Sequence, residues 1–410
     1  MPPVLFLAAL LLSGAASAAE MNRVLMVGQV FPYETPVAGW FESDPAFDYV
    51  VVPVRRDTGG WTSYPEKEAR RYVRLYFPRS FDLLVEYDIL CYVDTYFGHL
   101  TGNQIDMMFR AIRDSGLGGL TTLGGGISWV EEYRESWANS RVGLAFPTEY
   151  LQPPGQIKYV ETFTVRLVDS PTIPPVFTPF RELGIEGQVG RQAAELGARE
   201  GATTFATMVE TMMGIKDTGM PFAVAWNYGE GITWSVATDI QSDYNLFWTR
   251  WGGDDGYKYA MDLFLNMLLY SMDRELISDI VQYHVVREQF AFYMESKSIL
   301  YSLLEFVEKF GANRVAVDEE VETLDEMYVR AMDLYLVQDI DGALEVLEEV
   351  FDEMDQVSRH AMVLKDRALL WVYVVEWATV TSTLMVCAFA LWTVMVRRRL
   401  YREAGLTRAL

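Results

Sequence analysis

The chain contains few of the residues from which metal centres and disulfide scaffolds are built. Its 410 residues include two cysteines, Cys91 and Cys387, and three histidines. Two cysteines exclude a disulfide framework and a cysteine-based zinc site, and three scattered histidines argue against a histidine-rich metal site. We therefore expect neither a metal ion nor a bound cofactor.

Basic residues are scarce as well. The 34 Lys and Arg residues are outnumbered by 57 Asp and Glu residues, which gives a formal net charge of −23 at pH 7. A nucleic-acid partner is not expected, because phosphate contacts require clustered positive charge. Half of the residues are hydrophobic, so the chain has ample apolar material for a folded core.

The first residues, 1–18, have the features of a secretory signal peptide. An apolar stretch ends in Ala16, Ser17 and Ala18, the small-residue pattern that signal peptidase requires, although no Lys or Arg precedes it. A buried N-terminal strand or a short anchor is the alternative interpretation. A signal peptide would place the domain that follows it outside the cytoplasm.

Residues 369–396 are predicted to form a transmembrane helix. The 20 residues 377–396 carry no charge, and about 20 apolar residues suffice to cross a hydrocarbon core. The tail that follows, residues 397–410, contains five Arg and one acidic residue, Glu403. By the positive-inside rule this tail is cytoplasmic. The sequence thus predicts a single-pass protein of the cell membrane, with its N-terminal domain extracytoplasmic and the lipid bilayer as one partner.

Residues 21–272 alternate short apolar strands with helices. A helix is predicted over 101–115, with Thr101 as its N-terminal cap. The first four predicted strands cover residues 23–28, 47–54, 87–94 and 116–124. This alternation predicts an α/β domain with a flavodoxin-like, mainly parallel sheet.

Several segments of this domain follow one another in a recognisable order. The third strand, YDILCYVD, is followed by a helix and by the glycine-rich SGLGGLTTLGGGISW. A hairpin, AVAWNYGEGITWSVATDI, and a Trp-rich segment then lead into a closing helix. In this order the chain resembles the class I glutamine amidotransferase-like fold, most closely its divergent, trehalose-utilisation-like branch. The resemblance covers residues 21–272.

Enzymes of that family place a cysteine in a strand-to-helix elbow, G-x-C-x-G, and a histidine after a late strand as the base. Here the elbow, residues 124–128, reads GGGIS, so Gly126 stands where the nucleophile would be. The late strand ends in Thr238 and Asp239, with no histidine. The resemblance therefore implies a catalytically inactive domain without catalytic residues, in which Cys91 packs as a small buried hydrophobic residue.

The elbow could still hold a small polar ligand. Three glycines before a helix expose backbone N–H groups to an anion or a sugar hydroxyl, and ligands of such folds bind at strand ends. The candidate ligand-binding residues are Gly124, Gly125, Gly126, Ser128, Asp94 and Asp239. In the alternative interpretation the glycines only form a tight turn and the acids only cap loops.

Residues 273–368 are predicted to form a helical stalk between the α/β domain and the membrane. Apolar residues recur at helical spacing over 275–310, over 321–337 and from 343 onward, with a turn at 339–342. These apolar stripes must be buried, either in a three-helix bundle within one chain or by pairing between chains in a homo-oligomer.

The stalk is also strongly acidic. Between Asp318 and Asp355 there are fifteen acidic residues and one basic residue, Arg330. A solvated helix surface and a surface for a cation or a basic partner are both compatible with this pattern.

These features together predict a non-catalytic, membrane-anchored binding or scaffold module of a cell-envelope complex, with other envelope or membrane proteins as partners. One alternative is an enzyme or sugar-binding protein that acts on envelope carbohydrate. Another is a structural surface-layer or transporter-associated subunit.

Overall fold

The chain folds into two compact units. The computed structural model describes residues 21–28, 37–54, 66–124, 131–151, 159–211, 216–240, 247–248, 256–310 and 315–406. Unit one comprises Met1–Ala291 and Tyr335–Ile340, and unit two comprises Phe292–Leu334 and Asp341–Leu410. The predicted signal peptide lies outside the described residues.

Unit one is built on a nine-stranded mixed sheet with the strand order β2-β1-β3-β4-β11-β10-β9-β6-β7. The strands from β2 to β11 in this order pair in parallel, and the remaining pairs are antiparallel. A separate two-stranded sheet pairs β5 with β8. The strands are β1 (Asn22–Gly28), β2 (Phe47–Pro53), β3 (Ile89–Val93), β4 (Gly118–Thr122), β5 (Thr148–Tyr150), β6 (Tyr159–Leu167), β7 (Val189–Ala194), β8 (Leu196–Ala198), β9 (Thr203–Glu210), β10 (Lys216–Tyr228) and β11 (Gly231–Val236).

Seven helices of the described part of unit one accompany these strands. Helix α7 packs against β4 and β11, and α2 packs against β2. The helices are α1 (Val37–Glu42), α2 (Glu66–Tyr76), α3 (Phe81–Leu84), α4 (Gly102–Ser115), α5 (Glu131–Ala138), α6 (Arg141–Leu144) and α7 (Ala260–Ser271). The α/β class predicted from the sequence is confirmed, with a large mixed sheet in place of a mainly parallel one.

The parallel half of the sheet follows the predicted pattern of apolar runs. Every residue of β3 is buried, as expected for a strand covered on both faces. Helix α4 begins with the predicted cap, because the Thr101 hydroxyl accepts from the Gln104 N–H and the Gln104 side chain accepts from the Thr101 N–H. The helix ends at Gly116, whose φ of 75° lies in the left-handed region that glycine tolerates.

In the antiparallel half of the sheet, the hairpin of β10 and β11 was predicted and the other strands were not. Strands β6, β7 and β9 fall in a stretch where no strand was assigned. Strand β9 mixes buried and half-buried positions, as a partly covered strand does. It therefore contains no continuous apolar run. Such strands carry a weaker sequence signal than the buried parallel strands do.

A buried ionic cluster joins helix α8 (Ile280–Lys309) to the rest of unit one. The Arg287 guanidinium donates from Nη2 to Asp44 Oδ2 at 2.6 Å and from Nη1 to Asp262 Oδ1 at 2.6 Å. Its Nε lies 3.2 Å from the Tyr335 hydroxyl, and His284 Nδ1 lies 2.6 Å from Asp262 Oδ2. All five residues are buried. This cluster is one reason why unit one extends beyond residue 272 and takes in the segment Tyr335–Ile340.

Unit two contains three helical segments that contact one another. These segments belong to α8, to α9 (Val315–Leu336) and to α10 (Ile340–Leu406). The Tyr293 ring stacks on Tyr328 at 4.2 Å, which joins the first two segments. Phe292 contacts Phe351 at 5.3 Å between ring centroids. His360 Nδ1 lies 2.9 Å from Glu320 Oε1. The three helices therefore form a bundle within one chain, the first of the two arrangements considered for the stalk.

The turn between α9 and α10 is shorter than expected. It covers residues 337–339, and Gln338 has a left-handed φ of 64°. Asp341 and Gly342, which were placed in the turn, lie in the first turn of α10. A tighter turn brings two antiparallel helices close together.

Helix α10 continues without interruption for 67 residues, which corresponds to about 100 Å at 1.5 Å per residue. Its portion Ile340–Tyr401 contains a window with a mean hydropathy of 1.8, none of which is buried. Within the described part of the chain, it is the one helix both long and apolar enough to cross a membrane.

Candidate functional site

Three of the six candidate ligand-binding residues lie at one edge of the sheet. Asp94 follows β3, Gly124 follows β4 and Asp239 follows β11, and these three parallel strands are neighbours in the order β3-β4-β11. Because neighbouring strands lie about 4.8 Å apart, the backbones of Asp94 and Asp239 are separated by roughly 10 Å. Gly125, Gly126 and Ser128 lie outside the described residues.

Gly124 packs tightly against the end of the neighbouring strand. A Cβ at this position would lie 2.3 Å from the backbone N of Asp239 and 2.6 Å from the carbonyl carbon of Thr238. No side chain fits in that space, so the close approach of two backbones is enough to account for the glycine. This geometry agrees with the interpretation in which the glycines form a tight turn.

The end of β1 also lies very close to the backbone of a neighbouring strand. Gly28 has a φ of 138°, and a Cβ there would lie 2.0 Å from the Val93 carbonyl oxygen. The Thr95 hydroxyl donates to the Val27 carbonyl at 2.6 Å and ties the two strand ends together. The crevice between β1 and β3 is the point where the strand order reverses, a common ligand position in such sheets. In this chain, the ends of β1 and β3 approach each other closely at that point, with the Thr95 side chain between them.

The two acidic residues at this edge are both shielded from solvent. Asp94 is 2% exposed and has a left-handed φ of 48°, and Asp239 is 3% exposed. Thr238, beside Asp239, accepts a hydrogen bond of 2.7 Å from the Trp248 Nε1–H. Neither carboxylate is presented to a large substrate.

Cys91 lies in the middle of β3 and is fully buried. Burial raises the pKa of its thiol far above the usual range for cysteine. A thiol held in its neutral form in an apolar core is a poor nucleophile. The prediction that Cys91 packs as a small hydrophobic residue is confirmed.

A cavity of about 340 Å³ opens beside the same sheet edge. Leu123, the residue before Gly124, forms part of its wall, and the Leu123 N–H donates to the Val236 carbonyl at 2.9 Å. The other lining residues are Arg134, Glu135, Trp137, Ala138, Asn139, Gly143, Thr148, Glu149, Tyr150, Leu196 and Arg199. The volume is at the lower end of the range for small-molecule sites, which is roughly 300–1,000 Å³.

Distant parts of the chain build this cavity. Helix α5 supplies Arg134 and Trp137, and the β5–β8 ladder pairs Thr148 with Ala198 and Tyr150 with Leu196. The Arg199 Nε–H then donates to the Thr148 carbonyl at 3.1 Å. None of these residues was predicted from the sequence, because no motif or spacing links α5 to strands β5 and β8, which do not form apolar runs.

The cavity contains two arginines and two glutamates. Arg134 is 6% exposed, and its guanidinium carbon lies 5.4 Å from the centroid of the Tyr150 ring. Glu135 and Glu149 are exposed at the rim, and Arg199 is half-buried. The deepest charge is therefore positive, beside an aromatic ring and the apolar side chains of Leu123 and Leu196.

No group of three or more His, Cys, Asp or Glu residues suited to a metal ion occurs in the described ranges.

Comparison with known proteins does not assign the chain to a family. No protein-family model matches the chain, and no curated protein sequence matches it. Two solved structures from Salmonella typhimurium are weakly similar to it over part of its length. One is cytoplasmic protein STM3548, with 16% identity and a TM-score of 0.43, covering 60% of this chain and 98% of that protein. The other is cytoplasmic protein STM1381, with 14% identity and a TM-score of 0.43, covering 61% of this chain and 99% of that protein.

Proposed function

We propose that the protein is a non-catalytic binding module held on the membrane by a single C-terminal helix. The main support for this proposal comes from α10. Residues 373–400 of this helix are all exposed, although those up to Val396 are almost entirely apolar. An apolar helix of this length costs too much free energy in water and requires either lipid or a partner surface. The uncharged segment 377–396 is about 30 Å long at 1.5 Å per residue, which matches the hydrocarbon thickness of a bilayer.

The charges at the end of α10 support one orientation. Arg397, Arg398 and Arg399 follow the apolar segment directly, and basic residues of this kind remain on the cytoplasmic side. Trp377 and Trp392 lie near the two ends of the span, where aromatic residues prefer the membrane interface. In this orientation the α/β domain and the helical bundle are extracytoplasmic.

The order of the strands supports a flavodoxin-like, amidotransferase-like domain. The first four strands of the sheet follow the order 2-1-3-4, as in doubly wound sheets of the flavodoxin type. In the resemblance to class I amidotransferases, Gly126 replaces the nucleophile and Asp239 follows the strand where the base would stand. With the thiol of Cys91 buried, neither the elbow nor the late strand that the resemblance compares supplies the cysteine and histidine that amide hydrolysis needs.

Two observations favour binding over carbohydrate hydrolysis. A glycosidase needs two carboxyl groups that reach the same sugar. Asp94 and Asp239 are both shielded at the sheet edge, and in the cavity the buried charge is Arg134, with Glu135 and Glu149 exposed at the rim. The open space lies beside Asp94 and Asp239, in the cavity lined by Arg134. A scaffold or transporter-associated role is compatible with this proposal, because a membrane-held binding domain serves either.

The proposal predicts two results for one preparation of the full-length protein. After a sodium carbonate wash the chain should remain in the membrane pellet, because α10 spans the bilayer. After purification in detergent it should release no ammonia from glutamine above the rate in buffer. Ammonia release that disappears in Ser128→Ala or Cys91→Ala would contradict a non-catalytic role, and complete extraction by carbonate would contradict the anchor.

A further inference from the structure

The cavity beside β4 contains a buried cation with unused hydrogen-bonding capacity. Arg134 is more than nine-tenths buried, and its Nη2 has no hydrogen-bond partner among the described residues. Its guanidinium faces the Tyr150 ring, which compensates only part of the lost hydration. A buried guanidinium normally has a carboxylate or phosphate partner, because removing a lone charge from water is costly. The arrangement is that of a site whose counter-ion comes from a ligand.

A second buried polar group lies in the same wall. Thr148 is 3% exposed, and its Oγ1 has no hydrogen-bond partner in the described part of the chain. The carbonyl of the same residue accepts from Arg199 Nε. Thr148 therefore contacts Arg199 through its carbonyl and offers one more hydrogen-bond donor through its hydroxyl.

The remaining lining residues restrict the chemistry of the ligand. Glu135 and Glu149 balance the charges of Arg134 and Arg199, so the cavity as a whole is formally neutral. A dianion such as inorganic phosphate would meet two carboxylates as well as two guanidinium groups. A monocarboxylate carries a single charge, and its two oxygens match the planar fork of an arginine. The apolar side chains of Leu123, Trp137 and Leu196 provide a surface for a hydrocarbon body.

We propose that this cavity binds a small organic monocarboxylate, with Arg134 as the main ligand-binding residue and Thr148 and Arg199 as further polar contacts. This assignment rests on the proposed function as a binding module and names the ligand class of that module. Residues Arg134 and Thr148 bind the carboxylate, while the aromatic and aliphatic wall covers the body of the molecule.

Benzoate is a suitable probe, because it combines one carboxylate with a planar apolar ring. Benzamide, which has the same shape without the charge, is the matched control ligand. Full-length protein in nanodiscs is titrated by calorimetry, with empty nanodiscs as the blank. We expect benzoate to bind at least tenfold more tightly than benzamide and more tightly than inorganic phosphate.

Variants test the role of Arg134 directly. Arg134→Gln should weaken benzoate binding at least tenfold, whereas Arg134→Lys should retain part of the affinity. Arg141→Gln is the matched control, because Arg141 is exposed, lies on the next helix and pairs with Asp106 outside the cavity. It should leave benzoate binding unchanged.

A measurement without ligand separates binding from a structural role. Arg134→Met should raise the melting temperature of the ligand-free protein, because it removes a buried guanidinium whose Nη2 has no hydrogen-bond partner among the described residues. A lower melting temperature would mean that Arg134 supports the fold, and the proposal would then be wrong.

Three binding results would also overturn the proposal. They are the absence of benzoate binding at millimolar concentration, equal affinity for benzoate and benzamide, and unchanged affinity in Arg134→Gln. Tighter binding of phosphate that depends on Arg134 would reject the monocarboxylate. None of these outcomes affects membrane retention or the absence of ammonia release, so a failure here is distinguishable from a failure of the proposed function.

Discussion

Two arginines in the middle of the apolar helix, introduced as Leu384→Arg together with Val386→Arg, should release the protein from the membrane. Both positions are exposed in the centre of the uncharged segment 377–396. Each arginine at the centre of a span costs about 2.5–3.5 kcal/mol on insertion scales, so the pair costs roughly 5–7 kcal/mol. That is a change of more than about a thousandfold in the insertion equilibrium. The fraction retained in the pellet after carbonate extraction should fall from nearly all to a minority.

The control places the same two charges outside the span. Leu400→Arg together with Tyr401→Arg extends the existing run of arginines at the predicted cytoplasmic end. Arginine is favourable there, so retention should be unchanged. Equal retention of all three proteins would show that α10 is not held by lipid, and its apolar surface would then have to face another protein.

The largest loss of folding stability is expected for Arg287→Met. This substitution keeps most of the side-chain volume but leaves the carboxylates of Asp44 and Asp262 buried without their cation. Removing one partner of a buried ionic cluster costs about 3–5 kcal/mol. The melting temperature of the α/β unit should fall by roughly 10 °C. Thermal unfolding of the full-length protein in nanodiscs, followed by circular dichroism, measures this change.

The electrostatics of the cluster explain the size of the effect. Burial by itself would lower the pKa of the Arg287 guanidinium, but the carboxylates of Asp44 and Asp262 raise it well above its usual value. The native state thus stabilises the charged guanidinium of Arg287, and this cation in turn stabilises the buried carboxylates of Asp44 and Asp262. Burial likewise raises the pKa of the Tyr335 hydroxyl well above the usual value, so this residue stays neutral.

Arg70→Met is the matched control for this substitution. Arg70 pairs with Glu66 at 2.9 Å on the surface of α2, and both side chains are at least half exposed. Exposed pairs of this kind contribute little, so stability should change by less than about 0.5 kcal/mol. If the two variants lost the same stability, the buried cluster would not be the feature that holds α8 to unit one.

The parts of the fold that could be predicted from the sequence are those whose residues form a recognisable pattern within a short stretch of the chain. The buried run at β3, the Thr101 cap of α4 and the hairpin of β10 and β11 are all visible as short patterns of residue type. The long apolar segment of α10 is visible for the same reason. In each case a few neighbouring residues determine the local structure.

The antiparallel strands and the cavity could not be predicted in the same way. Strands β6 and β9 mix polar and apolar residues because buried positions alternate with more exposed ones along them, so neither forms a continuous apolar run. Once those strands are missed, the pairing of β5 with β8 has no visible basis. The contact between Arg199 and Thr148 depends on that pairing, so the cavity was missed as well.

Buried charges carry even less sequence signal. Asp44 and Asp262 are separated by more than two hundred residues, and each looks like an ordinary surface acid in its own segment. Only the folded chain brings both to Arg287. The candidate residues at the sheet edge were easier to place, because strand ends of a parallel sheet meet at one edge. The role of Gly124 was harder to predict. A glycine is needed there because the backbone of Asp239 leaves no room for a side chain, and that contact is visible only in the folded chain.

The central claim is that the folded domains lie outside the cell on one membrane-spanning helix. Protease added to intact cells that express the chain with a tag at Leu410 tests this claim most directly. We expect the protease to digest the α/β domain, while a short tagged fragment containing the apolar segment is protected until the cells are opened. Digestion of the tag in intact cells, with a cytoplasmic marker protein still protected, would contradict it.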